Sequence, residues 1–250
     1  MTIPRIDTHI HATAYRSDKP NRDVTVAGCI ENCATKRITA AGIVEHLGGW
    51  RHPIECLYDL MKEFRQLDPG FPVAIGAEFG IKGPEGKLDG TEADKNAVGL
   101  DFVLAESAAT PDNLKTVDEL IEFDHRCQMV AATIPWVDVI VHPWAMIQKR
   151  LDRAGIDVEW QFSSLPDSFL VEWADALAAG NTACEINTKN IRFFEEPLYI
   201  EFIDLLVKRR VRIAVGSDAH RLKKIGSAEP IYRFLEEQMV PAELIWYPDL

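Results

Sequence analysis

The sequence is poor in most of the features that would place a chain quickly. Although 47% of its residues are hydrophobic, no run approaches the ~20 apolar residues of a membrane span. Low-complexity tracts, linker-like stretches and internal repeats are absent, so the 250 residues are expected to form one domain, 1–250. The five cysteines, Cys29, Cys33, Cys56, Cys127 and Cys184, are odd in number, widely spaced and without a C-x-x-C pair. That argues against a disulfide framework and for a reducing, cytoplasmic location. Cys29 and Cys33, four apart on an expected helix, are read as packed thiols rather than metal ligands. The opening residues, Met1 to Asp7, lack the apolar core of a signal peptide. Positive charge is also scarce, since 27 Lys and Arg against 39 Asp and Glu leave a net charge of −12. Long nucleic acids and anionic membranes call for a basic surface, so neither is an expected partner.

What is present is an alternation of short β-type runs with amphipathic helices. Candidate strands are 5–9, 42–46, 72–78, 102–105, 137–142, 182–186 and 211–216, most of them near-continuous in Val, Ile and Ala. Such runs suit strands covered on both faces. Between them, Leu57, Leu60, Met61, Phe64 and Leu67 mark one helical stripe. Leu170, Trp173, Ala174 and Leu177 mark a second, and Leu198, Phe202, Leu205 and Leu206 a third. Pro53 and Pro111 are expected in first helical turns, and Gly42 and Gly180 just past helix ends. The segment 81–89, with Gly83-Pro84 and Glu85-Gly86, reads as a turn-rich excursion or hairpin. Seven β/α units predict an α/β fold on a parallel sheet, as a closed barrel or an open doubly wound sheet.

Histidine is rare, with seven in all, and its placement carries the information. His9 and His11 close the first candidate strand, His46 the second and His142 the fifth, while His220 follows the last; Glu78 ends the third. Residues two apart on a strand share a face, so His9 and His11 can serve one metal. The C-terminal ends of parallel strands all face one side of an α/β fold, where the loops build the site. Imidazoles and carboxylates from these strand ends are therefore expected to converge there. That donor set suits Zn, Fe or Mn, and its lack of thiolate argues against a purely structural zinc. Any one of these histidines alone would read as a packing or hydrogen-bonding residue, and Asp218 alone as a helix cap. The joint pattern at strand ends is what departs from scattered placement.

Asp7-Thr8-His9-Ile10-His11, Val44-Glu45-His46, Ile75-Gly76-Ala77-Glu78, Val141-His142-Pro143, Cys184-Glu185-Ile186-Asn187 and Gly216-Ser217-Asp218-Ala219-His220 follow one another in this order. The series resembles the motifs of the PHP (polymerase and histidinol phosphatase) superfamily, from about residue 5 to about residue 238. The resemblance implies a single-domain, distorted seven-stranded (β/α) barrel of TIM-like form, with two or three divalent metal ions at its C-terminal mouth. His9, His11, Glu78 and Asp218 would hold one metal, and Glu78 would bridge to a second held by His142. His46 and His220 would hold a third. Two departures stand out. The fourth strand lacks the family's histidine and offers Glu106 instead, and the loop after His11 offers Asp18 out of register.

Two close cations lower the pKa of a bridging water and neutralise charge in an in-line displacement at phosphorus, so no Ser or Cys nucleophile is needed. Glu78, Asp218 and His220 are the candidate catalytic residues on this reading. Arg16, Arg51, Lys189, Arg192 and Arg221 lie in loops expected on the same side and are candidates to orient a phosphate. His52 is a candidate proton donor to the leaving group, and Glu185 and Asn187 are read as orienting ligands. The expected activity is hydrolysis of a small phosphate monoester, and Glu45-His46-Leu47 leans towards the histidinol-phosphatase branch. The competing readings are an amidohydrolase-type metallohydrolase cleaving C–N or ester bonds and a non-catalytic PHP domain. A DNA exonuclease fits the acidic composition poorly.

Overall fold

The computed structural model describes residues 2–12, 24–47, 53–107 and 109–249. Within them, strands β1 (Ile6–His11), β2 (Ala40–Leu47), β3 (Val73–Ile81), β4 (Phe102–Ser107), β5 (Val139–Ile140), β6 (Ala183–Asn187) and β7 (Ile213–Gly216) pair in sequence order. Every ladder is parallel. Helices α1 (Val26–Thr35), α2 (Glu55–Phe64), α3 (Glu92–Val98), α4 (Val117–Ala131), α5 (Ile147–Ala154), α6 (Asp167–Gly180), α7 (Pro197–Lys208) and α8 (Glu229–Glu237) are interspersed among and after the strands. The ring is drawn shut from β7 back to β1. Ile10 and Ala219 form a parallel bridge, and the His11 N–H donates to the Ala219 carbonyl at 2.9 Å. Thr8 Oγ1 donates to the Val215 carbonyl at 3.1 Å, and the Ser217 N–H to Asp7 Oδ1 at 2.9 Å. The expected seven-stranded barrel is the observed fold. No helix among the described residues is long and apolar enough to cross a membrane.

Strand alternation divides the barrel interior into two levels. Side chains two apart point to one face, so Val44 and His46, Ala74 and Glu78, Phe102, Leu104 and Glu106, and Ala183 and Glu185 form inward-facing columns. The lower members, with Val139, Val141, Ala214 and Trp246, make a small apolar core inside the ring. Trp246 closes its N-terminal end, donating its backbone N–H to the Ile213 carbonyl at 2.8 Å and meeting the Phe102 ring edge-on at 5.7 Å. The upper members are the histidines and carboxylates of the mouth. Outward-facing residues such as Ile43, Ile75, Phe79 and Val103 enter the larger core under the helices.

Several expectations need correction. Gly42 lies within β2 rather than after a helix. A Cβ there would stand 2.7 Å from the Thr8 carbonyl oxygen and 2.8 Å from the Phe102 ring, so the position needs space rather than conformational freedom. Pro111 starts no helix, because α4 begins at Val117 behind a capping box of Thr116 and Glu119. Pro53 stands just outside α2, whose cap is Ile54, and Gly180 is the last residue of α6. The fifth strand is shorter than 137–142, as its ladder covers only Val139 and Ile140. Val137 is tied into a turn by Ile134, and at His142 the backbone turns left-handed with φ 33°. The 81–89 excursion is a hairpin, with Ile81 bridged antiparallel to Leu88.

Adding a methyl group at Gly42 forces apart β1, β2 and the Phe102 ring. Gly42→Ala is expected to lower the unfolding free energy by about 1–3 kcal/mol in chemical denaturation. An unchanged denaturation midpoint would contradict the close approach.

Candidate metal centre

Glu78 ends an inward column of β3, is 1% exposed and is surrounded by imidazoles. His46, its register partner on β2, places Nδ1 2.7 Å from Glu78 Oε2. His11 Nε2 stands 3.4 Å and His9 Nε2 3.5 Å from the same oxygen, while His142 Nε2 is 3.5 Å from Oε1. Among the described residues neither Glu78 oxygen receives a well-aligned hydrogen bond. From the end of β7, Asp218 brings Oδ1 to 3.4 Å from His11 Nε2 and 3.3 Å from His220 Nδ1. Asp218 is held left-handed with φ 51°, so that two site residues, His142 and Asp218, sit in backbone conformations that L side chains rarely adopt. Such strain persists where the surroundings over-determine it.

The ligand atoms form three overlapping sets, each within 4.8 Å: His9, His11 and Asp218; His11, His46 and His220; and His46, Glu78 and Glu106. His142 stands beside the third, 3.9 Å from Glu106 Oε1. His9 and His11 turn their Nε2 atoms towards each other at 2.9 Å. Two imidazoles on one tetrahedral zinc would hold these nitrogens about 3.3 Å apart, given Zn–N bonds of about 2.0–2.1 Å. Nitrogen and carboxylate donors without thiolate, around a buried carboxylate lacking aligned donors, fit a divalent cation.

The electrostatics agree with this fit at three of the histidines. Burial opposes charge on His9, but Glu185 and then Glu78 outweigh it and raise the imidazole to about 10. Burial lowers His11, aided by His46, and lowers His142, aided by Lys189. Burial likewise lowers His220, next to His11 and His46, so these three rings favour the neutral form that binds metal. Burial raises Glu78, yet His46 and His9 reverse that and hold it well below the usual carboxylate range. The site therefore sets carboxylates beside neutral imidazoles at His11, His142 and His220, while His9, paired with Glu185, favours the protonated form.

A second layer holds these side chains in place. Glu185 Oε1 lies 2.7 Å from His9 Nδ1, and its Oε2 accepts from the His142 N–H at 2.9 Å and from Asn187 Nδ2 at 3.0 Å. This pair was legible in sequence; three further features were not. Asp7 ties β1 to the β7 loop, and burial raises its carboxyl to about 6. Lys189, expected only as one of several cations, pairs with Asp218 Oδ2. Behind β4, Asp124 accepts from Ser107 Oγ and Arg150 Nη1, each at 2.5 Å, and from Gln128 Nε2 at 2.7 Å. The network clamps the residue after Glu106. The Asp-x-His start was a signal for Asp7, whereas nothing local marks the distant Arg150 partner.

The remaining candidates separate. Arg192 leans over the Phe193 and Trp160 rings, at 4.5 and 5.4 Å from their centroids. Arg221 lines a cavity beside Asp218 and His220. Arg16, Asp18, Arg51 and His52 lie outside the described residues. Cys29 and Cys33 are buried free thiols on α1, as expected, and no cysteine joins the ligand sets. His125, on α4, stacks on Phe169 at 3.9 Å and meets Glu172 at 3.2 Å.

No family model and no curated protein matches the chain. Solved structures do. A histidinol phosphate phosphatase from Lactococcus lactis, in complex with zinc, L-histidinol and phosphate, is similar with a TM-score of 0.62 at 18% identity, over 95% of this chain and 94% of that one. A probable 2-pyrone-4,6-dicarboxylic acid hydrolase from Acinetobacter baumannii gives 0.45 at 14%, over 94% and 80%. A β-aspartyl dipeptidase from Fervidobacterium islandicum gives 0.45 at 15%, over 97% and 71%. The first likeness establishes the fold.

Two substitutions test how the centre is held. Glu185→Gln removes the charge behind His9 and is expected to weaken zinc retention about 10–100-fold in a chelator competition; unaltered retention would contradict the orienting role. Arg150→Met leaves Asp124 buried without its cation. Denaturation should show a loss of about 3–5 kcal/mol, and a loss near zero would contradict the clamp.

Proposed function

We propose that the chain is a PHP-type, metal-dependent phosphoesterase that hydrolyses a small phosphate monoester. The observation that carries this reading is the buried Glu78 carboxylate, met by imidazoles from β1, β2 and the turn after β5. The histidinol phosphate phosphatase that shares the fold, with its zinc and phosphate, supports the same chemistry.

His9, His11 and Asp218 would hold one cation, and His46, Glu78 and Glu106 another, with His142 at its edge and His220 beside His11 and His46. Divalent cations bound there supply Lewis-acid polarisation of a phosphoryl oxygen and a water of lowered pKa. The chain's own groups do the rest. Glu78 directs its two oxygens to different imidazoles, Oε2 to His9, His11 and His46 and Oε1 to His142, which suits a bridging carboxylate. Lys189 adds a fixed positive charge beside Asp218, where it offsets the negative charge of a phosphoryl group. Glu185 keeps the His9 ring aimed inward through Nδ1. Water's oxygen joins phosphorus as the P–O bond to the alcohol breaks, and the alcohol leaves with a proton.

The acidic surface does not oppose such a substrate. Glu78, Glu106 and Asp218 contribute to the −12, and their charge is offset locally once divalent cations bind. Elemental analysis followed by assay of phosphate monoesters, diesters, amides and lactones with zinc or manganese restored tests the proposal. It predicts at least one bound metal per chain and monoester turnover that Asp218→Ala reduces by at least about 100-fold. Metal-loaded protein active only on amides or lactones would point to an amidohydrolase. Metal-loaded protein with no turnover would leave a binding domain.

A further inference from the structure

A cavity of about 460 Å³ opens beside the centre, with Asp218 and His220 on its inner side. Thr188 and Ile191, from the loop after β6, form one wall; Arg221, Lys224 and Ser227, from the loop after β7, form the other. The volume is that of a small-molecule site. We infer that this cavity receives the non-reacting end of the substrate and that this end carries a second negative charge, such as a carboxylate. The inference rests on the phosphate-ester reading above.

Charge is the first argument. In a chain with 39 acidic and 27 basic residues, the outer wall of this cavity is cationic. Among the described residues that line it, Asp218 is the only acid, and it already pairs with Lys189. Arg221 and Lys224 form no ion pair with a carboxylate among the described residues, although acids outnumber bases in the chain. Arg192, by contrast, rests on aromatic rings.

Placement is the second argument. The segment carrying them is a tight turn rather than a loose loop. Within it, Lys224 N–H donates to Arg221 O at 2.8 Å, Ile225 N–H to Leu222 O at 3.1 Å and Ser227 N–H to Lys224 O at 3.0 Å. Ile225 is buried, and Leu222 packs on α1, 3.3 Å from where a Cβ on Gly28 would lie. The turn therefore presents both cations at a set distance from Asp218 and His220. Thr188 Oγ1 donates to the Ser217 carbonyl at 3.1 Å, fixing the opposite rim, and Ile191 offers apolar contact. An anionic end would gain charge-assisted hydrogen bonds from Arg221 and Lys224. A cationic end, like that of an amino alcohol phosphate, would meet like charge, so the wall discriminates by repulsion as well as attraction.

The test compares phosphoglycerate with glycerol phosphate, which share the phosphate and differ in a carboxylate against a hydroxymethyl group. Each is titrated calorimetrically into the zinc-loaded full chain, with histidinol phosphate as the cationic probe. Phosphoglycerate is expected to bind about tenfold tighter than glycerol phosphate, with histidinol phosphate weakest. Arg221→Ala combined with Lys224→Ala should bring the first two together, and the milder Lys224→Gln should narrow the gap. Thermal melting confirms that the variants fold. Equal binding of the two ligands by the parent chain, a gap that survives in the double variant, or no binding of either would overturn the inference. Turnover followed in the same samples separates the two claims: a binding gap without hydrolysis of any ester refutes the phosphoesterase reading and leaves the anion site standing.

Discussion

A carboxylate held out of water among imidazoles is the constraint on which this structure turns. Glu78 cannot be solvated, and its oxygens find no aligned donors among the described residues. Burying an anion in that way is costly unless positive charge is brought to it. Two of the rings around it, His11 and His142, are themselves pushed towards the neutral form. The buried anion calls for positive charge, supplied by His46 and His9 within the chain and by divalent cations on the functional reading.

The rest of the barrel can be understood as support for that arrangement. Parallel register sets His46 directly beside Glu78, and alternation stacks the mouth's histidines and carboxylates above a small apolar plug ending at Trp246. Glu185 links His9 on β1 to the His142 backbone beyond β5, so two histidines from distant strands share one support. Asp7 joins the first strand to the loop that carries Asp218 and His220. The left-handed backbone at His142 and Asp218 is the local cost of aiming these side chains inward.

Much of this was legible in the sequence because strand periodicity and strand-end chemistry are local signals. His9, His11 and His142 stand at or near the ends of apolar runs, Glu78 lies three residues before the end of β3, and parallel topology brings these positions to one end of the barrel. The likeness in fold to a known phosphatase agrees with the barrel that the motif order implied. What could not be read was non-local. Gly42 looks like helix punctuation, yet its need for space comes from Thr8 and the Phe102 ring of another strand. The fifth strand reads as six residues, but its ladder stops at Ile140 because the backbone turns to offer the His142 N–H to Glu185. The Lys189–Asp218 pair and the Asp124–Arg150 clamp join residues far apart in the chain, where no spacing rule applies. Arg16, Asp18, Arg51 and His52 lie outside the described residues.

Anomalous diffraction at the zinc or manganese edge, on crystals of the full chain grown with that metal, tests the central claim most directly. The account predicts at least one strong peak within coordination distance of Glu78 and of two or more of His9, His11, His46 and Asp218. Ordered density showing those side chains hydrogen-bonded to one another or to water, with no anomalous peak among them, would contradict it.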